Sequence, residues 1–277
     1  MDHMPIRLIA TDIDGTLLNG SGRISERNLR AIHSAQEKGI TVAISSGRFP
    51  ENVYILLEGY GLRCPIIGDN GGRLTDENLH VLADHVMDTK AAQRVLEILL
   101  SFGSDYFIFG DRMICTSDDK IVHHSELSQG SRMRELGFTY FHGTADARQA
   151  VLQSVHKFFV CDNVPLEPVR LALQQVDGIL LTRSGIHNIE IMPAGVDKGS
   201  GIRDMARLLG VPMEQVMALG DEGNDIPMLK AAGYGIAMGN ASEEAKAAAR
   251  YVTDTNENCG FAKAIERYAL EMDSWKD

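Results

Sequence analysis

Two carboxylates stand two positions apart in the segment Asp12 to Thr16, whose sequence is Asp-Ile-Asp-Gly-Thr. The segment directly follows a short apolar run, Ile6 to Thr11, that predicts a strand. In an extended chain, residues two apart point the same way, so Asp12 and Asp14 can face one site. One carboxylate can then act as a nucleophile and the other as general acid and base, with a hard cation neutralising the pair. Alone, the same letters also suit an acidic turn.

A hydroxyl and a guanidinium follow the next predicted strand, Thr41 to Ile44, in the segment Ser45-Ser46-Gly47-Arg48. At the end of a strand, the hydroxyl and nearby backbone N–H groups can bind phosphate oxygens, and the guanidinium can add positive charge. A serine at this position can also simply cap a helix.

Two further polar clusters lie near the carboxyl end of the chain. Lys198 precedes a predicted helix, where backbone dipoles also favour an anion. The loop Gly220 to Asp225 follows the apolar run Val216 to Leu219 and offers oxygens that suit an octahedral magnesium ion. Those oxygens belong to Asp221, Asn224 and Asp225.

All four clusters fall at the ends of candidate strands, where open α/β sheets bind their ligands. Their order and spacing resemble the four motifs of the haloacid dehalogenase superfamily: Asp12-x-Asp14-Gly15-Thr16, Ser46-Gly47-Arg48, Lys198-Gly199 and Gly220-Asp221-x-x-Asn224-Asp225. Two small departures are Ser46, where threonine is common, and Asn70-Gly71-Gly72 in place of Asn-Gly-Ala. Neither removes a needed functional group.

The resemblance implies a role for each matching residue. Asp12 would be the nucleophile and Asp14 the general acid and base. Phosphate ligands would be Ser46, Gly47, Lys198 and Asn224. The cofactor would be Mg²⁺, held by Asp12, Asp14, Asp221 and Asp225, with Asp14 contributing its backbone carbonyl.

The chain is predicted to form a Rossmann-like parallel sheet core with helices on both faces, an α/β fold. Strand and helix patterns alternate at both ends of the sequence, over residues 1–83 and 192–277. Between them, residues 84–191 show two hairpin signals, at Gly110-Asp111 and Ser184-Gly185. Helical patterns intervene over Lys90 to Leu100, Glu126 to Leu136, Asp146 to Val155 and Glu167 to Val176. This segment is predicted to be an inserted α+β cap domain, similar to the cap of Cof-like sugar-phosphate phosphatases.

Composition limits the partners and the compartment. The chain has 277 residues, 44% of them hydrophobic, and a formal net charge of −11 without a run of Lys and Arg, so neither nucleic acid nor a membrane is an expected partner. Its four cysteines form no C-x-x-C pair, so the sequence suggests neither a zinc site nor a disulfide framework. Because no signal peptide or membrane-spanning run is apparent, a cytoplasmic protein is expected.

Together these features predict a magnesium-dependent phosphatase that hydrolyses small phosphorylated metabolites, with sugar phosphates favoured, through an aspartyl-phosphate. A sugar phosphomutase with the same nucleophile and a non-enzymatic phospho-receiver remain alternatives. Candidate substrate-binding residues are Arg48, Asn70 and Glu190. Weaker candidates in the cap are His123, His124, Lys157 and His187, and the single Trp275 is not expected to take part in recognition. The sequence does not indicate an oligomeric state.

Overall fold

Two β-sheets organise the chain. The structure is a computed structural model that describes residues 5–117, 130–142 and 144–270. The larger sheet has eight strands in the order β14-β13-β12-β1-β2-β3-β4-β5. Six neighbouring strands, from β14 to β3, run parallel, and β4 and β5 complete the edge in antiparallel pairing. The strands are β1 (Leu8–Thr11), β2 (Thr41–Ser45), β3 (Ile66–Gly68), β4 (Arg73–Thr75), β5 (Val81–Asp84), β12 (Val216–Gly220), β13 (Tyr234–Ala237) and β14 (Tyr251–Val252).

Helices cover both faces of this sheet, as predicted. Alternate residues of β1 show why: Ile9 packs on one face, while Leu8 and Ala10 pack on the other. The first face packs against α1 (Glu26–Glu37), α2 (Pro50–Glu58) and α10 (Gly260–Tyr268). The second packs against α7 (Lys198–Leu208) and α8 (Ile226–Ala231), and the short α9 (Glu243–Ala248) precedes β14.

The inserted segment forms a second, six-stranded sheet in the order β10-β11-β9-β6-β7-β8. Its strands are β6 (Tyr106–Gly110), β7 (Met113–Thr116), β8 (Thr139–His142), β9 (Lys157–Cys161), β10 (Ile179–Thr182) and β11 (Asn188–Pro193). Its helices are α3 (Thr89–Phe102), α4 (Gly130–Glu135), α5 (Ala145–Val151) and α6 (Leu166–Leu173).

Residues alternate along the strands of this second sheet. Tyr106 and Ile108 of β6 are buried in an apolar core with α3 and α6. Phe107 and Phe109 point to the other face, which looks toward the first sheet and is only partly buried. One face of the cap sheet therefore holds the cap together, and the other forms a wall.

The predicted α/β fold class with an inserted α+β layer is confirmed, and both predicted hairpins are present. The helix predicted for Asp146 to Val155 ends earlier, at Val151. The helix predicted for Glu126 to Leu136 begins outside the described residues, and its described part is α4. The division at 83/84 and 191/192 stays a prediction. In the described parts of the chain, no helix has the length and apolar character needed to cross a membrane.

A buried carboxyl directly follows β3 and lies beside His156 of the cap. Asp69 is fully buried, and neither of its oxygens has a hydrogen-bond partner among the described residues. Burial raises the pKa of Asp69 to about 6, although His156 and Lys157 partly offset this. The nearer imidazole nitrogen of His156 is 3.9 Å from Asp69 Oδ2. The ionised carboxylate of Asp69 is therefore a cost to the fold.

Asp69→Asn should stabilise the protein at pH 8 by up to roughly 3 kcal/mol, because about two pKa units separate Asp69 from its ordinary value of 3.8. Between pH 3.8 and about 6 the folded state holds more protons than the unfolded state, so wild-type stability falls as pH rises through this window. Near pH 4 the difference between variant and wild type should vanish.

Urea unfolding at pH 4 and pH 8 measures this difference. Asp177→Asn, at an exposed position, is the matched control and should show no pH-dependent difference from wild type. An Asp69→Asn protein that is less stable than wild type at pH 8 would contradict the argument.

Candidate active site

A buried lysine joins two carboxylates at the carboxyl edge of the parallel sheet. Lys198 Nζ lies 2.6 Å from Asp12 Oδ1 and 2.6 Å from Asp225 Oδ1. Asp12 directly follows β1, and Lys198 begins α7, which Asp197 and Ser200 cap reciprocally. Lys198 and Asp225 are each only 1% exposed. The first, third and fourth sequence clusters therefore meet in one place.

Asp221 completes this group and is held by Thr16. Thr16 Oγ1 donates to Asp221 Oδ1 at 2.7 Å, and both residues are buried. Gly15, at φ +82°, permits the approach, because a Cβ there would lie 2.2 Å from Asp221 Oδ2. A Cβ at Gly220 would likewise meet Asp225 at 2.5 Å. The glycines of both motifs are thus required by close contacts with the carboxylates.

This acidic group contains three carboxyl groups, those of Asp12, Asp221 and Asp225, and one ammonium group, that of Lys198. Burial raises the pKa of Asp12 well above its ordinary value; Lys198 opposes this shift, and Asp225 and Asp221 add to it. The pKa of Asp221 rises to about 7, chiefly through burial and then through Asp225. For Lys198, burial would lower the pKa, but Asp12 and Asp225 outweigh it and the pKa is raised.

Asp14 points away from the lysine. It lies in the irregular turn Ile13–Leu17, and Arg48 holds its carboxylate with two hydrogen bonds, at 2.6 and 2.9 Å. Ser46 is buried, and its Oγ accepts from the backbone N–H of Arg48 at 3.2 Å. Asp12, Asp14, Ser46, Gly47 and Arg48 all line the same cavity.

A series of hydrogen bonds links Asn224, in the loop that follows β12, to the cap. Asn224 Nδ2 donates to Asn70 Oδ1 at 3.1 Å, and Asn70 Nδ2 donates to Glu190 Oε2. Lys157, from β9, donates to Glu190 Oε2 at 3.2 Å and to the carbonyl oxygen of Gly47 at 2.6 Å. Burial would raise the pKa of Glu190, but Lys157 and the other donors outweigh it and lower it. These hydrogen bonds therefore connect the cap to the second motif.

The cavity between the two sheets has a volume of about 540 Å³. Sequence reasoning missed much of its cap wall, which includes Phe107, Phe109, Ile114, Met133, Tyr140 and Phe159. The alternation of phenylalanines at 107 and 109 in a predicted strand was the available signal. Lys157 received little weight from the sequence because a lone lysine in a strand carries no local pattern.

Of the weaker candidates, His187 lies away from the cavity. His187 is exposed and bonds Asp162 Oδ2 through Nδ1 at 2.6 Å, away from the residues that line the cavity. His123, His124 and Trp275 lie outside the described residues.

The three carboxylates fit a hard divalent cation. Asp12, Asp221 and Asp225 each offer an oxygen, and these oxygens lie within 4.8 Å of one another. Magnesium prefers such oxygens, at about 2.0–2.1 Å from the ion, which is compatible with this spacing. The Asp14 side chain bonds Arg48 and is not part of this cluster. Its predicted contribution through the backbone carbonyl stays a prediction.

A cavity of this size at the carboxyl edge of a parallel sheet, lined by carboxylates and lying beside a buried lysine, is a typical binding site for a small molecule. Residues 9–265 match the family of haloacid dehalogenase-like hydrolases, so the chain belongs to that family.

Two curated relatives and one solved structure illustrate the likeness. The chain is 32% identical to the 5-amino-6-(5-phospho-D-ribitylamino)uracil phosphatase YcsE of Bacillus subtilis, over 97% of this chain and 98% of the relative. It is 31% identical to phosphatase YwpJ of the same organism, over 94% and 99%. A haloacid dehalogenase-like hydrolase structure from B. subtilis superposes with a TM-score of 0.83 at 28% identity, over 94% and 99%.

Both curated relatives are phosphatases, and this chain matches them over nearly their full length. This chain is accordingly a phosphoric monoester hydrolase of the same family. The non-enzymatic receiver alternative does not fit a family match of this extent. The acidic group and Lys198 are then the expected centre of its chemistry.

Lys157→Met should destabilise the protein by about 3–5 kcal/mol, because it leaves the carboxylate of Glu190 buried without its cation. Adding Glu190→Gln should recover most of that loss, since no uncompensated charge remains. Urea unfolding of the two single variants and the double variant measures the coupling.

Arg94→Met is the matched control, because its partner Glu97 lies in an ion pair whose side chains are 63% and 64% exposed. It should leave the unfolding midpoint nearly unchanged. Equal losses at positions 157 and 94, or no recovery in the double variant, would refute the buried-pair interpretation.

Proposed function

We propose that this protein is a magnesium-dependent phosphatase that hydrolyses small phosphorylated metabolites through a phosphorylated Asp12. The observation that carries the proposal is the position of Asp12 in the cavity wall, where the buried Lys198 lies 2.6 Å from its carboxylate. A cation fixed beside an attacking carboxylate neutralises the charge that would otherwise repel a phosphate.

In the first step, an Asp12 oxygen forms a bond to phosphorus while the bond between phosphorus and the leaving oxygen breaks. Asp14 gives its proton to that leaving oxygen. Lys198, the Ser46 hydroxyl and the backbone N–H of Gly47 would bind the phosphate oxygens, and Asn224 would contact them from the opposite loop. All five residues other than Lys198 line the cavity, which supports these roles.

In the second step, a water molecule attacks phosphorus and gives its proton to Asp14. The bond between phosphorus and Asp12 breaks, which releases inorganic phosphate and restores the Asp12 carboxylate and the protonated Asp14. Two hydrogen bonds from Arg48 orient the Asp14 carboxylate at the cavity wall for this role as base. When Asp14 acts as the acid of the first step, one of these bonds has to give way to the proton that it carries.

The carboxylates of Asp12, Asp221 and Asp225 would hold the magnesium ion. When bound, the ion would supply positive charge to the phosphate oxygens and would neutralise the buried carboxylates. Without a cation, burial and mutual repulsion raise the pKa of Asp12 and Asp221, which would oppose attack by Asp12. The excess of carboxylates over ammonium groups thus favours a divalent ion.

Sugar phosphates were the substrates favoured by the sequence, and the name of YcsE describes a phosphorylated ribityl compound. That name supports a small phosphorylated metabolite with a sugar-like portion as the substrate here. Arg48 remains a candidate substrate ligand at the cavity wall. Asn70 and Glu190 bond each other, so their proposed contribution is to position Asn224 and Lys157 rather than to bind sugar hydroxyls.

Phosphate release from p-nitrophenyl phosphate and a panel of sugar phosphates should require Mg²⁺, stop with EDTA and fall below detection in Asp12→Asn. The reason is that the amide cannot form the acyl-phosphate and contributes less charge to the metal. A folded Asp12→Asn protein that retains activity would contradict the proposal. Isomerisation of a sugar phosphate without phosphate release would instead support a phosphomutase.

Asp14→Asn should separate the two steps. With p-nitrophenyl phosphate, whose leaving group needs no proton, the first step should proceed, but the second should slow by about 10²–10⁴-fold without its base. Phosphorylated Asp12 should therefore accumulate and be visible by intact-protein mass spectrometry. Asp177→Asn, exposed in the cap, should turn over like wild type and show no adduct. Absence of the adduct from both proteins, with normal turnover by Asp14→Asn, would exclude the assigned role of Asp14.

A further inference from the structure

The wall of the cavity that faces Asp12 and Asp14 is aromatic. Phe107 in β6 and Phe159 in β9 are direct cross-strand partners, and both rings line the cavity while only half-buried. Phe159 packs into none of the apolar clusters formed by the described buried residues. An apolar ring held at a cavity wall, outside any core, is poised to contact a ligand.

The two rings form a corner. Their centroids are 6.1 Å apart and their planes meet at 74°. A flat aromatic ring placed in this corner would stack on one phenylalanine and meet the edge of the other, which are the two arrangements that aromatic pairs prefer. Phe109 is already engaged, with the Phe49 ring stacked at 4.5 Å and Lys157 Nζ 4.4 Å from its centroid.

The polar groups of the same wall offer little to a sugar. Lys157 and Glu190 are 3% and 2% exposed and bond each other, and Ser184 also hydrogen-bonds to Glu190. Sugar hydroxyls placed in this corner would therefore meet phenyl carbons, and desolvating them without partners is unfavourable.

We propose that Phe107 and Phe159 form a subsite for a planar aromatic or heteroaromatic ring in the leaving group of the phosphate ester. This inference rests on the proposed function, since it concerns the substrate of the same site. It makes the two phenylalanines determinants of specificity that bind the part of the substrate remote from phosphorus.

Benzyl phosphate and cyclohexylmethyl phosphate test the subsite, because they match in size and differ in the flatness and aromatic character of the ring. Aromatic pairs add about two- to tenfold to an interaction beyond buried area. Wild-type kcat/KM should therefore be about tenfold higher for benzyl phosphate, and D-glucose 6-phosphate should be a poorer substrate than benzyl phosphate.

Phe159→Leu should reduce the preference for benzyl phosphate to about twofold through KM, and Phe107→Leu should act in the same direction. The kcat/KM of both variants for cyclohexylmethyl phosphate should stay close to that of the wild type. Phe102→Leu is the matched control, since Phe102 is 39% exposed on α3 and does not line the cavity. Because Phe159 lies outside the cores, its variant is expected to fold, and thermal unfolding checks this.

Equal kcat/KM for the two esters in wild type, or a preference that survives Phe159→Leu, would overturn the subsite while leaving the phosphatase proposal intact. No magnesium-dependent hydrolysis of these esters, p-nitrophenyl phosphate or any sugar phosphate would overturn the proposed function, and the subsite with it. The two failures are therefore distinguishable in one set of assays.

Discussion

Three buried carboxylates around one buried ammonium group are the constraint on which the rest of the site depends. The carboxyl groups of Asp12, Asp221 and Asp225 lie close together, and burial and mutual repulsion raise the pKa of Asp12 and of Asp221. Lys198 bonds Asp12 and Asp225, but one ammonium group can offset only part of the charge of three carboxylates. A second source of positive charge is needed if Asp12 is to be ionised and nucleophilic, and this need connects the metal, the lysine and the anionic substrate.

The parallel sheet supplies the geometry that makes this concentration of charge possible. β1 and β12 are neighbours, so the loops that follow them place Asp12 and Asp221 together although 209 positions separate them along the chain. The register that aligns Thr11 with Leu219 brings both loops to the same height. The close approach of these two loops requires glycine, because a Cβ at Gly15 would clash with the Asp221 carboxylate. Rigid neighbouring strands thus hold groups together that would separate in a flexible loop.

The sequence predicted well that polar clusters meet at one edge of the parallel sheet, because its signals are local. Apolar runs end in polar clusters at β1, β2 and β12, and the ends of parallel strands meet at one edge. The pairing of Glu190 with Asn70 joins positions 120 apart and has no local pattern, so the sequence could not predict this buried hydrogen bond. Lys157 and Asp69 were equally unreadable, because burial of a single charged residue depends on what the whole fold places over it.

The cap separates stability from recognition by using its two faces differently. Tyr106 and Ile108 are fully buried in the cap core, while their neighbour Phe107 is half-buried at the cavity and packs against a smaller cluster that includes Phe49 and Phe138. Large losses of stability come mainly from buried positions, so residues on the cavity face can change with small effects on folding. The acidic group at the sheet edge has no such freedom, since each of its members affects the charge of the others. Under the proposed function, the core therefore fixes the reaction chemistry, whereas the cavity face of the cap sheet sets the shape and polarity offered to the leaving group.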